Sequence, residues 1–128
     1  MVSICTLALN AQMYDPVDWS FELVQEEGSN EAELVFTAHI DEGWHLYSQF
    51  LGDDGPIPTQ FYFKDSTNYE RTGPTEEITP PVLEYDPNFE MELLYFSEEA
   101  VFSQKVKILK PGEVEIKGEL EFMVCDET

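Results

Sequence analysis

A chain of 128 residues fits a single domain and is long enough to fold around its own core without a metal or disulfide staple. Apolar residues at 42% and aromatics at 13% exclude intrinsic disorder, and no run approaches the roughly 20 apolar residues of a membrane helix. With 27 acidic and 6 basic side chains the formal charge is −21, which repels phosphate backbones and anionic lipid and argues against nucleic-acid or membrane-surface binding.

The first basic residue is Lys64, so the opening Met1-Val2-Ser3-Ile4-Cys5-Thr6-Leu7-Ala8-Leu9-Asn10-Ala11 is uncharged and mostly apolar. It reads as a signal-peptide remnant over residues 1–12, with small residues near Ala11 and the usual positive start missing. A short first strand of the domain is the other reading. Ordinary domain sequence, 13–128, sets in around Tyr14-Asp15-Pro16.

From there alternation dominates and no helical period is sustained. Trp19, Phe21 and Leu23 share one face of a first run. Leu34, Phe36, Ala38 and Ile40 share one face of the next. Trp44, Leu46 and Tyr47 follow a turn at Asp41-Glu42-Gly43, and Phe61 and Phe63 flank Tyr62. Phe102, Gln104, Val106 and Ile108 alternate with Ser103, Lys105 and Lys107. The longest alternation sets Val114, Ile116, Gly118, Leu120, Phe122 and Val124 against Glu115, Lys117, Glu119, Glu121 and Met123. Gly- and Pro-bearing turns separate these runs, among them Gly52-Asp53-Asp54-Gly55-Pro56, Pro80-Pro81 and Asp86-Pro87-Asn88. Seven to nine short strands with Glu-rich outer faces describe an all-β, antiparallel two-sheet sandwich.

The chemistry concentrates at the last strand, which ends on Cys125 followed by Asp126 and Glu127. A strand end holds the backbone still while presenting the sulfur, but acidic neighbours disfavour the thiolate, so such a sulfur waits to be attacked as a disulfide. If residues 1–11 are removed on export, Cys125 stands alone and needs a partner elsewhere. A Cys5–Cys125 bridge tying the two ends, or an inert buried cysteine, are the alternatives. His39 and His45 lack metal-site spacing, so no metal site is expected. Asp53 and Asp54 fit no calcium loop, and the Glu pairs read as solvated turns. No phosphate loop, serine elbow or Cys/His catalytic set occurs.

Four segments in order, Gly43-Trp44-His45-Leu46-Tyr47-Ser48-Gln49, Gly55-Pro56-Ile57-Pro58-Thr59, Tyr95-Phe96-Ser97 with Phe102, and Ile116 through Phe122-Met123-Val124-Cys125-Asp126-Glu127-Thr128, resemble the N-terminal periplasmic domain of the thiol:disulfide interchange protein DsbD. The resemblance runs from about Asp15 to the chain end. It implies an immunoglobulin-like β-sandwich and an exported, periplasmic electron relay whose parent is membrane-embedded. Reduction comes from a thioredoxin-like domain of the same parent. Electrons then pass to periplasmic disulfide isomerases and to thioredoxin-like proteins of cytochrome c maturation, through mixed disulfides and without metal or nucleotide.

Residue by residue, the resemblance makes Cys125 the first of two redox cysteines, with the second expected past Thr128, so that the sequence reads as truncated just after the first. It makes Tyr95 and Phe96 an aromatic cap loop and places His45 and Tyr47 beside the active site, His45 departing from the family's residue type. The family's acidic pair before the cap is replaced by Leu93 and Leu94, leaving Asp126, Glu127 or His45 as substitutes in proton handling. Two rival readings need no redox chemistry. One is an exported binding module that recognises a protein or glycan through Trp44, Tyr47, Tyr62 and Phe96. The other is a structural envelope domain held by a Cys5–Cys125 bridge.

Overall fold

The computed structural model describes residues 15–110, 112 and 114–126, and the backbone of 5–8. Among these residues there are eleven strands and no helix. The strands are β1 (Cys5–Ala8), β2 (Val17–Gln25), β3 (Glu31–Ile40), β4 (Trp44–Tyr47), β5 (Gln60–Phe63), β6 (Tyr69–Arg71), β7 (Glu76–Glu77), β8 (Val82–Asp86), β9 (Met91–Phe96), β10 (Glu99–Ile108) and β11 (Gly118–Asp126). One sheet runs β1-β11-β4-β9-β8, with β5 also on β11. The other runs β2-β3-β10-β6, with β7 also on β10. All pairings are antiparallel. The result is the expected immunoglobulin-like sandwich.

The strand count exceeds the expected seven to nine for local reasons. β6 and β7 are three- and two-residue pairings on β10. Pairings so short carry no alternation of their own. β1 falls within the segment expected to be a signal remnant. Residues 1–4 and 9–12 of that segment lie outside the described residues, whereas Cys5–Ala8 pairs with Phe122–Cys125, placing Cys5 across from Cys125.

The alternation read from sequence is the inner face of the sandwich. Leu34, Phe36, Ala38, Phe102 and Val106 of one sheet meet Leu46, Phe96, Phe122 and Val124 of the other. Trp19 packs among Phe122, Phe102 and Phe61, with ring centroids 5.5, 5.9 and 6.2 Å away. Each fully buried Phe of this kind stabilises the fold by about 1.5–3 kcal/mol. Gln104, fully buried on the inner face, survives there because its amide donates to the Gly73 and Lys105 carbonyls while its oxygen accepts from the Thr75 hydroxyl. A polar tie joins the two sheets: the buried Ser48 hydroxyl and the Gln49 amide both donate to the Glu77 carboxylate of β7.

Two features fix β4, the strand that carries His45. Gly43 holds the preceding turn at φ 85°, a conformation that costs other residues steric strain, and the Trp44 amide closes that turn on the Asp41 carbonyl. Beyond Tyr47, the loop over 48–59 folds back on the same sheet. The Thr59 hydroxyl donates to the Tyr47 carbonyl, and the Ile57 amide lies 3.4 Å from the Met123 sulfur.

Candidate functional site

In β11, Phe122 and Val124 point inward, so Cys125 projects from the outer face of the sheet. An outer face of an antiparallel sheet is ordinarily wet. Here it is covered, and Cys125 is only 2% exposed. It sits in a small second core with Tyr47, Leu93 and Tyr95, against which Leu51, Phe89, Met91 and Met123 pack. Cys125 is disulfide-bonded. The chain's other cysteine is Cys5, directly across from it in the strand register.

β4 supplies the neighbours expected from the sequence. His45 pairs with Cys125 in the register and lies flat on Tyr95, ring centroids 3.8 Å apart and planes 17° from parallel. Tyr47, fully buried, donates its hydroxyl hydrogen to the Asp86 carboxylate. Burial first, and then the Asp86 hydrogen bond and charge, push the Tyr47 phenol far above its ordinary range, so it stays protonated. Tyr95 makes a parallel contact, donating to Glu84 at 2.6 Å. Both carboxylates come from β8, the terminal strand of this sheet.

The turn from β8 to β9 is built by its own sequence. Asp86 at the first turn position accepts the Asn88 amide on its side chain, at 2.8 Å, and the Phe89 amide on its carbonyl, at 3.3 Å. Pro87 follows where a fixed φ near −65° suits a type I turn. Glu90 closes the turn with φ 53°. The turn thereby carries Phe89 over the outer face, edge-on to Tyr47 with centroids 6.0 Å apart.

A pocket of about 200 Å³ opens at the sulfur, lined by His45, Tyr95, Cys125 and Asp126 together with Glu84, Tyr85, Asp86, Pro87 and Asn88. Cys125, His45, Tyr47, Tyr95 and Asp126 are thus brought together. Glu127 lies outside the described residues. Phe96 is not at the site: it faces the main core, 5.4 Å from Phe102. Nor do Tyr95 and Phe96 form a loop. They close strand β9 and are 8% and 2% exposed, because β9 pairs with both β4 and β8 and alternation sends adjacent side chains to opposite faces. Leu93 belongs to the same small core as Cys125, and of the carboxylates lining the pocket Glu84 and Asp86 sit on β8 and Asp126 on β11.

Sequence reasoning missed Glu84, Asp86 and Phe89. The Asp86-Pro87-Asn88 turn was legible, but the Tyr47–Asp86 contact spans 39 residues and leaves no local signal. Of the four aromatics offered for a binding surface, Tyr47 and Phe96 are buried, Trp44 is half-buried and Tyr62 is 49% exposed. An apolar cavity of about 460 Å³ lies elsewhere, lined by residues such as Trp19, Phe36, Phe61 and Phe122, and shares no residue with the Cys125 pocket. Among the described residues no group of three or more His, Cys, Asp or Glu side chains is placed to hold a metal ion.

The family model described as thiol:disulfide interchange protein DsbD, N-terminal, matches residues 14–128. No curated protein and no solved structure matches the chain.

Proposed function

Since the chain belongs to the family of DsbD N-terminal domains, we propose that it is a periplasmic thiol-disulfide exchange module whose reacting sulfur is Cys125. A partner thiolate attacks the Cys125 sulfur, the new Cys125–partner disulfide forms, and the former partner sulfur of Cys125 leaves as thiolate. A second partner thiol then resolves the mixed disulfide. In the intact parent, electrons arrive from a membrane-embedded region by way of a thioredoxin-like domain. They leave to oxidised disulfide isomerases and to thioredoxin-like proteins of cytochrome c maturation.

The observation that carries this reading is the placement of Cys125. Its sulfur lies outside the main core, on a rigid strand, under a cover made chiefly of one turn and a few aromatic rings. The cover is assigned to Phe89 rather than to Tyr95 or Phe96, since Phe89 rides on a turn and the other two on a doubly paired strand. Such an arrangement keeps small oxidants off the sulfur yet leaves it one local movement from exposure. Asp126, Asp86 and Glu84 at the pocket favour a partner whose docking face is basic or neutral.

The test is exchange with a reduced thioredoxin-like protein, followed by mass. The unmodified chain should form a covalent adduct and Cys125→Ser should form none. Equal adduct from both would refute the assignment. A second reading has its own support: Cys125 is disulfide-bonded and Cys5 stands across from it, as a purely structural bridge requires. That bridge would resist the same reductant and its loss would lower stability without altering any exchange.

A further inference from the structure

Among the described strands β1 pairs with β11 alone, at the end of its sheet. Cys5 stands across from Cys125, Thr6 from Val124, Leu7 from Met123 and Ala8 from Phe122. Opposed residues of an antiparallel ladder have Cα atoms about 4.5 or 5.5 Å apart, inside the roughly 4.4–6.8 Å that a disulfide spans. A cysteine laid opposite Cys125 on this edge is therefore within bonding reach of it. The edge also selects what lies on it. Phe122, Val124 and Cys125 are buried, so a charge set among them would be desolvated without compensation. β1 is a resident example of what fits: no residue from Met1 to Ala11 has a charged side chain. Glu121 and Asp126 bracket the edge, so the positions flanking such a segment suit basic residues.

We propose that the β11 edge over Phe122–Cys125 is a strand-docking slot, in which an extended, uncharged segment of the redox partner replaces β1 with its attacking cysteine across from Cys125. This rests on the reading of Cys125 as the exchanging sulfur and adds the surface that receives the partner. The partner thiolate bonds to the Cys125 sulfur, the sulfur now bonded to Cys125 leaves with the electron pair as thiolate, and no other oxidant or reductant is consumed. With Cys125 so engaged, β1 keeps only its four-residue ladder. The partner segment, tethered to Cys125, competes for the same edge at high effective concentration. Backbone pairing supplies the hold, and the positions opposite Phe122 and Val124 supply the selection. The slot thus prolongs the mixed disulfide with a partner whose cysteine lies in a strand-forming segment.

Competition for Cys125 in the full chain tests the slot with peptides alone. In Cys5→Ser combined with Leu7→Pro, the resident strand has neither its cysteine nor a complete ladder, so the edge is open. Cys125 is equilibrated with glutathione and one of two thiol peptides. One copies Ser3-Ile4-Cys5-Thr6-Leu7-Ala8-Leu9-Asn10, and the other carries Leu7→Pro and Ala8→Pro. The cysteine's neighbours are the same in both, so the thiols are alike and only strand pairing differs. The strand peptide should be preferred over the proline peptide about tenfold or more in the mixed disulfide with Cys125, read by mass. Its adduct should protect amides within Phe122–Cys125 from exchange, and the proline adduct should not. In Cys5→Ser alone, which keeps β1, the preference should persist but narrow as the resident strand competes. Equal equilibria for the two peptides in both variants would overturn the slot. So would a preference that β1 leaves unchanged, or an adduct with a thioredoxin-like protein in which those amides stay unprotected. A peptide preference with no adduct to any thioredoxin-like protein would uphold the slot and sink the proposed function alone.

Discussion

His45 lies flat against Tyr95, 3.8 Å between ring centres, while sitting opposite Cys125 in the strand register. The pair forms one wall of the sulfur's pocket, and the Tyr95 hydroxyl is held in turn by Glu84. A stacked aromatic pair contributes about 0.5–1.5 kcal/mol beyond its buried area. His45→Ala should therefore cost about 1–2 kcal/mol in urea unfolding and raise Cys125 alkylation in the reduced chain, whereas His45→Tyr should preserve both. An unaltered alkylation rate in His45→Ala would remove His45 from the wall.

Phe89 and Phe96 separate the two faces of the sheet. Phe96→Ala empties a site in the main core and should destabilise the fold by about 3–5 kcal/mol. Phe89→Ala removes a half-buried ring from a turn and should cost about 1–2 kcal/mol, yet it should increase access to Cys125 more than Phe96→Ala does at matched stability. Chemical denaturation together with alkylation at low urea distinguishes the two. The reverse order of access would return the cap to β9.

The fold was legible because the inner faces of β3, β10 and β11 alternate cleanly and the turns between them are marked by Gly, Pro and Asp. The grouping of Cys125, His45, Tyr47 and Tyr95 as a candidate site was legible through a family resemblance carried by contiguous motifs. What was not legible lies across the sheet. Phe96 looked equivalent to Tyr95 because they are adjacent, yet a period of two places them on opposite faces. Asp86 read only as part of a turn and Glu84 carried no signal, because only the pairing of β8 with β9 carries them to Tyr47 and Tyr95.

Gly118 is required for a reason that alternation alone does not disclose. A Cβ at that position would stand 2.1 Å from the Tyr62 carbonyl oxygen, where β11 passes β5. The obstacle is backbone, so the strands themselves must shift. Gly118→Ala should lose about 2 kcal/mol or more by thermal or urea unfolding, against the few tenths usual for an exposed strand position. A neutral result would show that β5 yields freely.

Tyr47 also sets an alkaline limit. Its folded pKa is raised from an unfolded value near 10.0, chiefly by burial and then by Asp86. Stability from this group is therefore complete below about pH 10 and declines above it, where the unfolded chain releases a proton that the folded chain retains. The decline is at most about 1.4 kcal/mol per pH unit for one group. Urea unfolding between pH 9 and 11 should show a shallower loss in Tyr47→Phe than in the unmodified chain. Parallel curves would mean that Tyr47 ionises alike in both states.

Trapping the mixed disulfide tests Cys125 as the exchanging sulfur directly. The oxidised chain is mixed with a reduced thioredoxin-like protein whose resolving cysteine is changed to serine, and the adduct is digested and mapped. The expected product is a covalent link from Cys125 to the attacking cysteine, formed without denaturant. A link formed only at Cys5, or no link until the chain is unfolded, would contradict Cys125 as the exchanging sulfur and leave it a structural bridge.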